Sequence, residues 1–138
     1  MPFEPWQLEL IESCRSATLA TINRTGTPSL VPVCYAYLDG RFVIAIDEKP
    51  KSGRPLARLR NIAADPRVTL LIDRYDDDWA KLAWLRVEGG AVAIDAMAWP
   101  GAVGALRARY TQYRDMALER RPIMVITPQR HVAWRWQM

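Results

Sequence analysis

Residues 17–46 read ATLATINRTGTPSLVPVCYAYLDGRFVIAI, and this stretch decides the fold class. Apolar, β-rich runs at Ala17–Ile22, Leu30–Leu38 and Arg41–Ile46 are separated only by Asn23-Arg24-Thr25-Gly26-Thr27-Pro28 and by Asp39-Gly40. Asp-Gly is a favoured two-residue hairpin turn, and Gly26 takes a positive φ without steric cost. Links this short cannot hold a crossover helix, so successive strands run antiparallel. The run from Leu30 to Leu38 is apolar almost throughout, which predicts one strand buried on both faces. Pro32 within it lacks a ladder donor and calls for a bulge or a sheet edge.

Outward from this core the periodicity alternates between strand and helix. Pro5–Ser13 is predicted as a short opening helix, with Trp6, Leu8, Leu10 and Ile11 among polar residues. Leu56, Leu59, Ile62 and Ala63 recur at helical spacing, and Asp65-Pro66 closes that segment. Val68–Ile72 is a strand, followed by an acidic loop over Asp73–Asp78. Lys81–Glu88 alternates, with Ala83, Leu85 and Val87 on one face. Gly89-Gly90 is expected to break it before a further strand at Ala91–Ile94. Ala102–Met116 reads as a helix, and Ile123–Thr127 and His131–Trp136 as two closing strands. About eight strands and three helices give a mainly β (α+β) fold, a small antiparallel barrel with helices at its ends. A ferredoxin-like sandwich leaves too many strands over.

The chain has 138 residues, 50% of them hydrophobic and 25% charged, enough for one domain over 1–138 with one moderate core. No apolar run approaches the ~20 residues of a membrane-spanning helix, and no secretory signal is visible, so a cytoplasmic domain is expected. Two cysteines and one histidine argue against a disulfide framework, a zinc enzyme or a histidine-dependent triad. Isolated glycines exclude a dinucleotide or P-loop fingerprint. Cys34, among apolar neighbours, reads as an inert thiol rather than a nucleophile. No side chain stands out as an acid–base catalyst.

Charge distribution is the informative feature. The net charge is +4, and Arg41–Arg60 alone holds six basic residues against two acidic ones. Lys49, Lys51, Arg54, Arg58 and Arg60 gather where the third strand passes into the second helix. Such a cluster beside a helix start favours an anionic ligand, a phosphate in particular, over a merely solvated face. A nucleic-acid barrel is disfavoured because Asp73–Asp78 would repel a phosphate backbone.

The order of these features resembles the pyridoxamine 5′-phosphate oxidase-like split-barrel superfamily of flavin and deazaflavin binders. The resemblance runs through Ala17-Thr18-Leu19-Ala20-Thr21, Gly26-Thr27-Pro28, Val31-Pro32-Val33-Cys34-Tyr35, Asp47-Glu48-Lys49-Pro50-Lys51 and Leu59–Val68. Tyr75–Trp79, Trp84–Gly89, Arg107–Tyr113 and Trp134 are similar to the branch of coenzyme F420-dependent oxidoreductases. The resemblance implies that Arg58, eight positions before Pro66, grips the cofactor phosphate. Relatives usually carry Lys there followed by Ser or Thr; this chain has Arg58-Leu59 and lacks the hydroxyl. Lys49, Lys51 and Arg54 would add contacts, and Asn61 joins the cofactor-binding set. Pro32, Val33 and Cys34, with Ala45, Ile46 and Asp47, would lie along the tricyclic ring. The resemblance further implies a homodimer with the cofactor at the subunit interface. Trp79, Lys81 and Trp84 would reach the ring from the partner, or Trp79 and Trp84 would fill the dimer core alone.

The implied activity is hydride transfer from reduced F420 to a small organic acceptor, the cofactor carrying the chemistry. The surplus of cations beyond one phosphate's needs leans toward F420, with its acidic tail, over FMN. An FMN-dependent oxidoreductase and a non-catalytic flavin or deazaflavin carrier are the alternatives.

Overall fold

The computed structural model describes residues 3–46 and 56–137. Its elements are α1 (Pro5–Ser13), β1 (Ala17–Ile22), β2 (Pro28–Val33), β3 (Ala36–Leu38), β4 (Arg41–Ala45), α2 (Ala57–Ala64), β5 (Arg67–Arg74), β6 (Ala83–Asp95), α3 (Pro100–Arg109) and β7 (Pro122–Arg135). The strands form one antiparallel sheet in the order β2-β1-β5-β6-β7-β4-β3. Its two edge strands are consecutive in the chain, joined only by Cys34-Tyr35. In a flat seven-stranded sheet those edges would lie ~29 Å apart, whereas two linking residues span only ~10 Å. The sheet therefore curls until its edges meet, and the barrel is closed by the chain rather than by a ladder between β2 and β3. This is a split barrel.

The local chemistry follows the turn residues. Asn23 Oδ1 accepts from the backbone N–H of Thr25 and of Thr27, both at 3.0 Å, and Gly26 has φ +82°. Asp39 and Gly40 both take positive φ, the geometry of a tight hairpin between β3 and β4. α1 begins with Pro5 at its first turn, and the Glu4 N–H donates to Gln7 Oε1 at 2.9 Å.

Alternate residues of the strands fill the barrel: Leu19, Phe42, Ile44, Leu70, Ile72, Leu85, Val87, Met124 and Ile126 are all essentially inaccessible. Each such side chain contributes about 1.5–3 kcal/mol of burial. Leu10 and Ile11 of α1 pack onto this core. A second cluster lies on the outer face of β4 and β7, where Val43, Ala45, Ile123 and Val125 meet Ala102, Val103 and Leu106 of α3. β4 is thus buried on both faces, which its run Phe42-Val43-Ile44-Ala45 reflects.

Three expectations are corrected. The apolar run Leu30–Leu38 is two strands turning a corner at Cys34-Tyr35, and Leu30 is 68% exposed on the outer face. Gly89-Gly90 does not end a strand: β6 runs through it past β7, which is likewise continuous, with a register shift between Glu88 and Gly89. A Cβ at Gly89 would overlap the Thr127 carbonyl oxygen, so this glycine is what lets the two long strands close up at the bulge. The last helix stops at Arg109, because Tyr110 leaves helical geometry and a short 3-10 turn, Thr111–Asp115, follows. Pro32 does sit on an edge strand, as its missing donor requires.

Candidate functional site

The seam where β2 and β3 part is lined from five separate segments. Pro32 and Val33 end β2, Cys34 forms the corner, Ile44 and Ala45 end β4, Arg58 projects from the first turn of α2, and Ser16 and Tyr113 complete the wall. The half-open cavity is about 160 Å³. Arg58 is half-buried, and its Nε is fully buried with no hydrogen-bond partner among the described residues. An unsatisfied buried donor on a cation costs on the order of 1–3 kcal/mol, so the group is poised for an acceptor that the described residues do not supply. Nearby, Arg121 Nη1 donates to the Ile46 carbonyl at 3.5 Å, just where β4 ends.

Of the residues singled out from sequence, Pro32, Val33, Cys34, Ala45 and Arg58 are brought together in this one cavity, whereas Ile46, buried just after β4, does not line it. Asp47, Lys49, Lys51 and Arg54 lie outside the described residues. Asn61 is buried on another face of α2, and its Nδ2 donates to Thr21 Oγ1 at 2.9 Å. It lines a larger cavity of about 540 Å³ between α2 and the β1–β2 hairpin, together with Arg24, Ser29 and Arg60. Trp79 is exposed, and Trp84 lies on the barrel's outer face in a groove with Thr18, Leu30, Leu71 and Arg86. Neither tryptophan lines the Arg58 cavity within a single chain. Ser16 and Tyr113 are not among the site residues expected from sequence: they come from the segments after α1 and after α3, and although Tyr113 ends the quoted stretch Arg107–Tyr113, nothing in that stretch assigns it to this wall.

Behind the corner, Tyr35 is fully buried and its hydroxyl donates to the Ile11 carbonyl at 2.7 Å, with the Cys14 carbonyl 3.1 Å away. Burial pushes its phenol well above the usual tyrosine range. His131, the sequence's one histidine, packs its ring 4.8 Å from Phe3 and does not line the Arg58 cavity. Cys14 places Sγ 3.5 Å from the Asp73 carbonyl, and burial raises its thiol pKa.

The fold is thus a split barrel whose seam carries a buried guanidinium nitrogen that has no partner among the described residues. Residues 3–135 match the family model described as pyridoxamine 5′-phosphate oxidase, and the chain belongs to that family. Among solved structures it is similar to a conserved hypothetical protein of Mycobacterium tuberculosis, at 23% identity and a TM-score of 0.76, over 98% of this chain and 86% of that one. It is also similar to HutZ, a heme storage protein of Vibrio cholerae, at 14% identity and TM-score 0.71, over 98% and 95% of the two chains. A FAD-binding protein of Mesorhizobium loti matches at 17% identity and TM-score 0.68, over 95% and 94%. At these identities the likeness is one of fold.

Proposed function

We propose that this protein is an oxidoreductase that uses coenzyme F420, binding the cofactor phosphate at Arg58 and the deazaflavin ring along Pro32-Val33-Cys34. The observation that carries the reading is the buried Arg58 Nε, which lacks a partner among the described residues and sits beside that corner. A phosphate oxygen satisfies such a donor with a charge-assisted hydrogen bond. When bound, F420 supplies the hydride for a small organic acceptor. The chain's own residues bind and orient: Arg58 neutralises charge, Val33 and Cys34 form an apolar wall, and Ile44 and Ala45 close the barrel side. Lys49, Lys51 and Arg54 follow β4 in sequence and add to the positive charge that favours F420, with its acidic tail, over FMN.

The cavity in one chain, about 160 Å³, is smaller than the ~300 Å³ at which small-molecule sites begin. That shortfall supports a homodimer in which a second copy completes the site. The exposed outer face bearing Leu30, Trp84 and Trp134 offers apolar surface for such pairing. The test is titration of wild type and Arg58→Ala with F420 and with FMN, followed by ligand fluorescence. Tight binding of F420 by wild type and at least tenfold weaker binding by Arg58→Ala supports the assignment. Preference for FMN moves the chain to an FMN-dependent activity, and equal affinity of the two proteins for both ligands removes Arg58 from the site.

A further inference from the structure

The corner that walls the candidate site is held from behind by one hydroxyl. Tyr110 Oη accepts from the Tyr35 backbone N–H at 3.1 Å and from Arg109 Nε at 3.2 Å, and it lies 3.0 Å from the Tyr35 carbonyl and 2.9 Å from the Arg15 carbonyl. A phenol has one proton to give and two lone pairs to receive with, so this hydroxyl is saturated. Both backbone polar groups of Tyr35, the residue after Cys34, therefore converge on a single side-chain atom. They have no ladder to join, because β2 ends at Val33 and β3 begins at Ala36. Arg109 fixes Tyr110 in turn. Its guanidinium stacks over the Tyr35 and Tyr110 rings, with centroid distances of 4.9 and 5.4 Å, and donates to the carbonyls of Ile11, Glu12 and Cys14.

We infer that Tyr110 is a positioning residue of the candidate site. Its hydroxyl sets the Cys34-Tyr35 corner, and with it the wall formed by Val33 and Cys34, in a place where the sheet cannot. The inference rests on the proposed cofactor site for its binding readout, but the geometry of the corner stands without it. Two features favour a positioning over a merely stabilising role. The bonds go to backbone at the one break in the sheet, and the residue they hold is the immediate neighbour of Cys34, which faces the Arg58 cavity.

The experiment compares full-length wild type, Tyr110→Phe and Ile72→Val. Ile72 is fully buried in β5, a strand that pairs with β1 and β6, so its variant lowers core stability without removing a hydrogen bond to the corner. Two readouts are taken on folded protein: the rate of Cys34 alkylation by iodoacetamide, resolved by peptide mass, and the dissociation constant for F420. Loss of the hydroxyl is expected to speed Cys34 alkylation about fivefold and to weaken F420 about five- to tenfold, the scale of one buried hydrogen bond. Ile72→Val is expected to leave both at the wild-type value. Arg109→Lys, which withdraws the Nε bond, is expected to move both readouts in the same direction and serves if Tyr110→Phe does not fold. An unchanged Cys34 rate in folded Tyr110→Phe, or an equal change in Ile72→Val, overturns the inference. Failure of wild type to bind F420 sinks the cofactor reading instead, and the alkylation rates still decide the role of Tyr110.

Discussion

Substituting alanine at Gly89 and at Gly90 tests the bulge that lets β6 and β7 run unbroken. A Cβ on Gly89 would overlap the Thr127 carbonyl oxygen and lie 3.0 Å from its carbon and 3.2 Å from Pro128 Cα. These obstacles are strand backbone, so the ladder itself must move. A Cβ on Gly90 meets only Gln129 Nε2, at 3.7 Å, an ordinary contact with the end of a flexible side chain. Overpacking of a rigid neighbour costs about 1–3 kcal/mol, and Gly89→Ala falls in the upper half of that range because no rotamer relieves it. For a chain of this length the unfolding entropy is ~0.3 kcal/mol/K, so a cost of ~2–3 kcal/mol lowers Tm by ~7–10 °C. Gly90→Ala loses unfolded-state entropy and gains no clash, so its Tm stays within ~2 °C of wild type or rises slightly. The assay is a pair of thermal melts followed by circular dichroism. Equal Tm values for the two variants would refute the account of the bulge.

Other consequences concern the site, the pH response and the outer face. Arg60 lines the cavity beside Asn61 rather than the one beside Cys34, so Arg60→Ala should leave F420 affinity within about twofold while Arg58→Ala loses at least tenfold. Ligand titration separates them. Hydrogen bonds from Arg107 hold the Glu119 carboxyl down from 4.5 to about 2, with Arg107 Nη1 donating to Glu119 Oε2 at 2.8 Å. A lowered folded-state pKa gives stability present above pH 4.5 and lost as pH falls toward 2. Glu119→Gln should therefore melt below wild type at pH 6, and the gap should close by pH 2. The pair is solvent-screened, so the gap is small. On the pairing proposal wild type sediments as a dimer, and Leu30→Glu, at a site 68% exposed in one chain, should fold normally and sediment as a monomer at the same concentrations. A monomeric wild type would contradict the pairing proposal.

Much of the fold was legible because it is written in local chemistry. Pro5–Ser13, Ala17–Ile22 and the Asn23 and Asp39-Gly40 turns each rest on residues adjacent in sequence, and each stands where the pattern put it. What failed depended on distant partners. Gly89-Gly90 looks like a strand end until Thr127 is known to lie against Gly89. An apolar run such as Leu30–Leu38 carries no sign that Tyr35 turns inward to meet Tyr110, 75 residues away. The same limit applies to the site. Arg58 stands out in sequence as one of the cations beside a helix start, and the resemblance adds its spacing to Pro66 and the Pro32–Cys34 wall. Ser16 leaves no local trace, and the stretch Arg107–Tyr113 does not say that tertiary packing brings the Tyr110 hydroxyl to the corner and Tyr113 to the cavity wall. The basic cluster looked uniform in sequence, yet α2 directs Arg58 and Arg60 to different cavities.

The most direct measurement is a crystal structure of the protein soaked with F420. A phosphate oxygen is expected ~3 Å from the Arg58 guanidinium, with the ring lying along Pro32-Val33-Cys34. A phosphate seated instead between Arg24 and Arg60, or a seam filled by the chain's own residues, would contradict it.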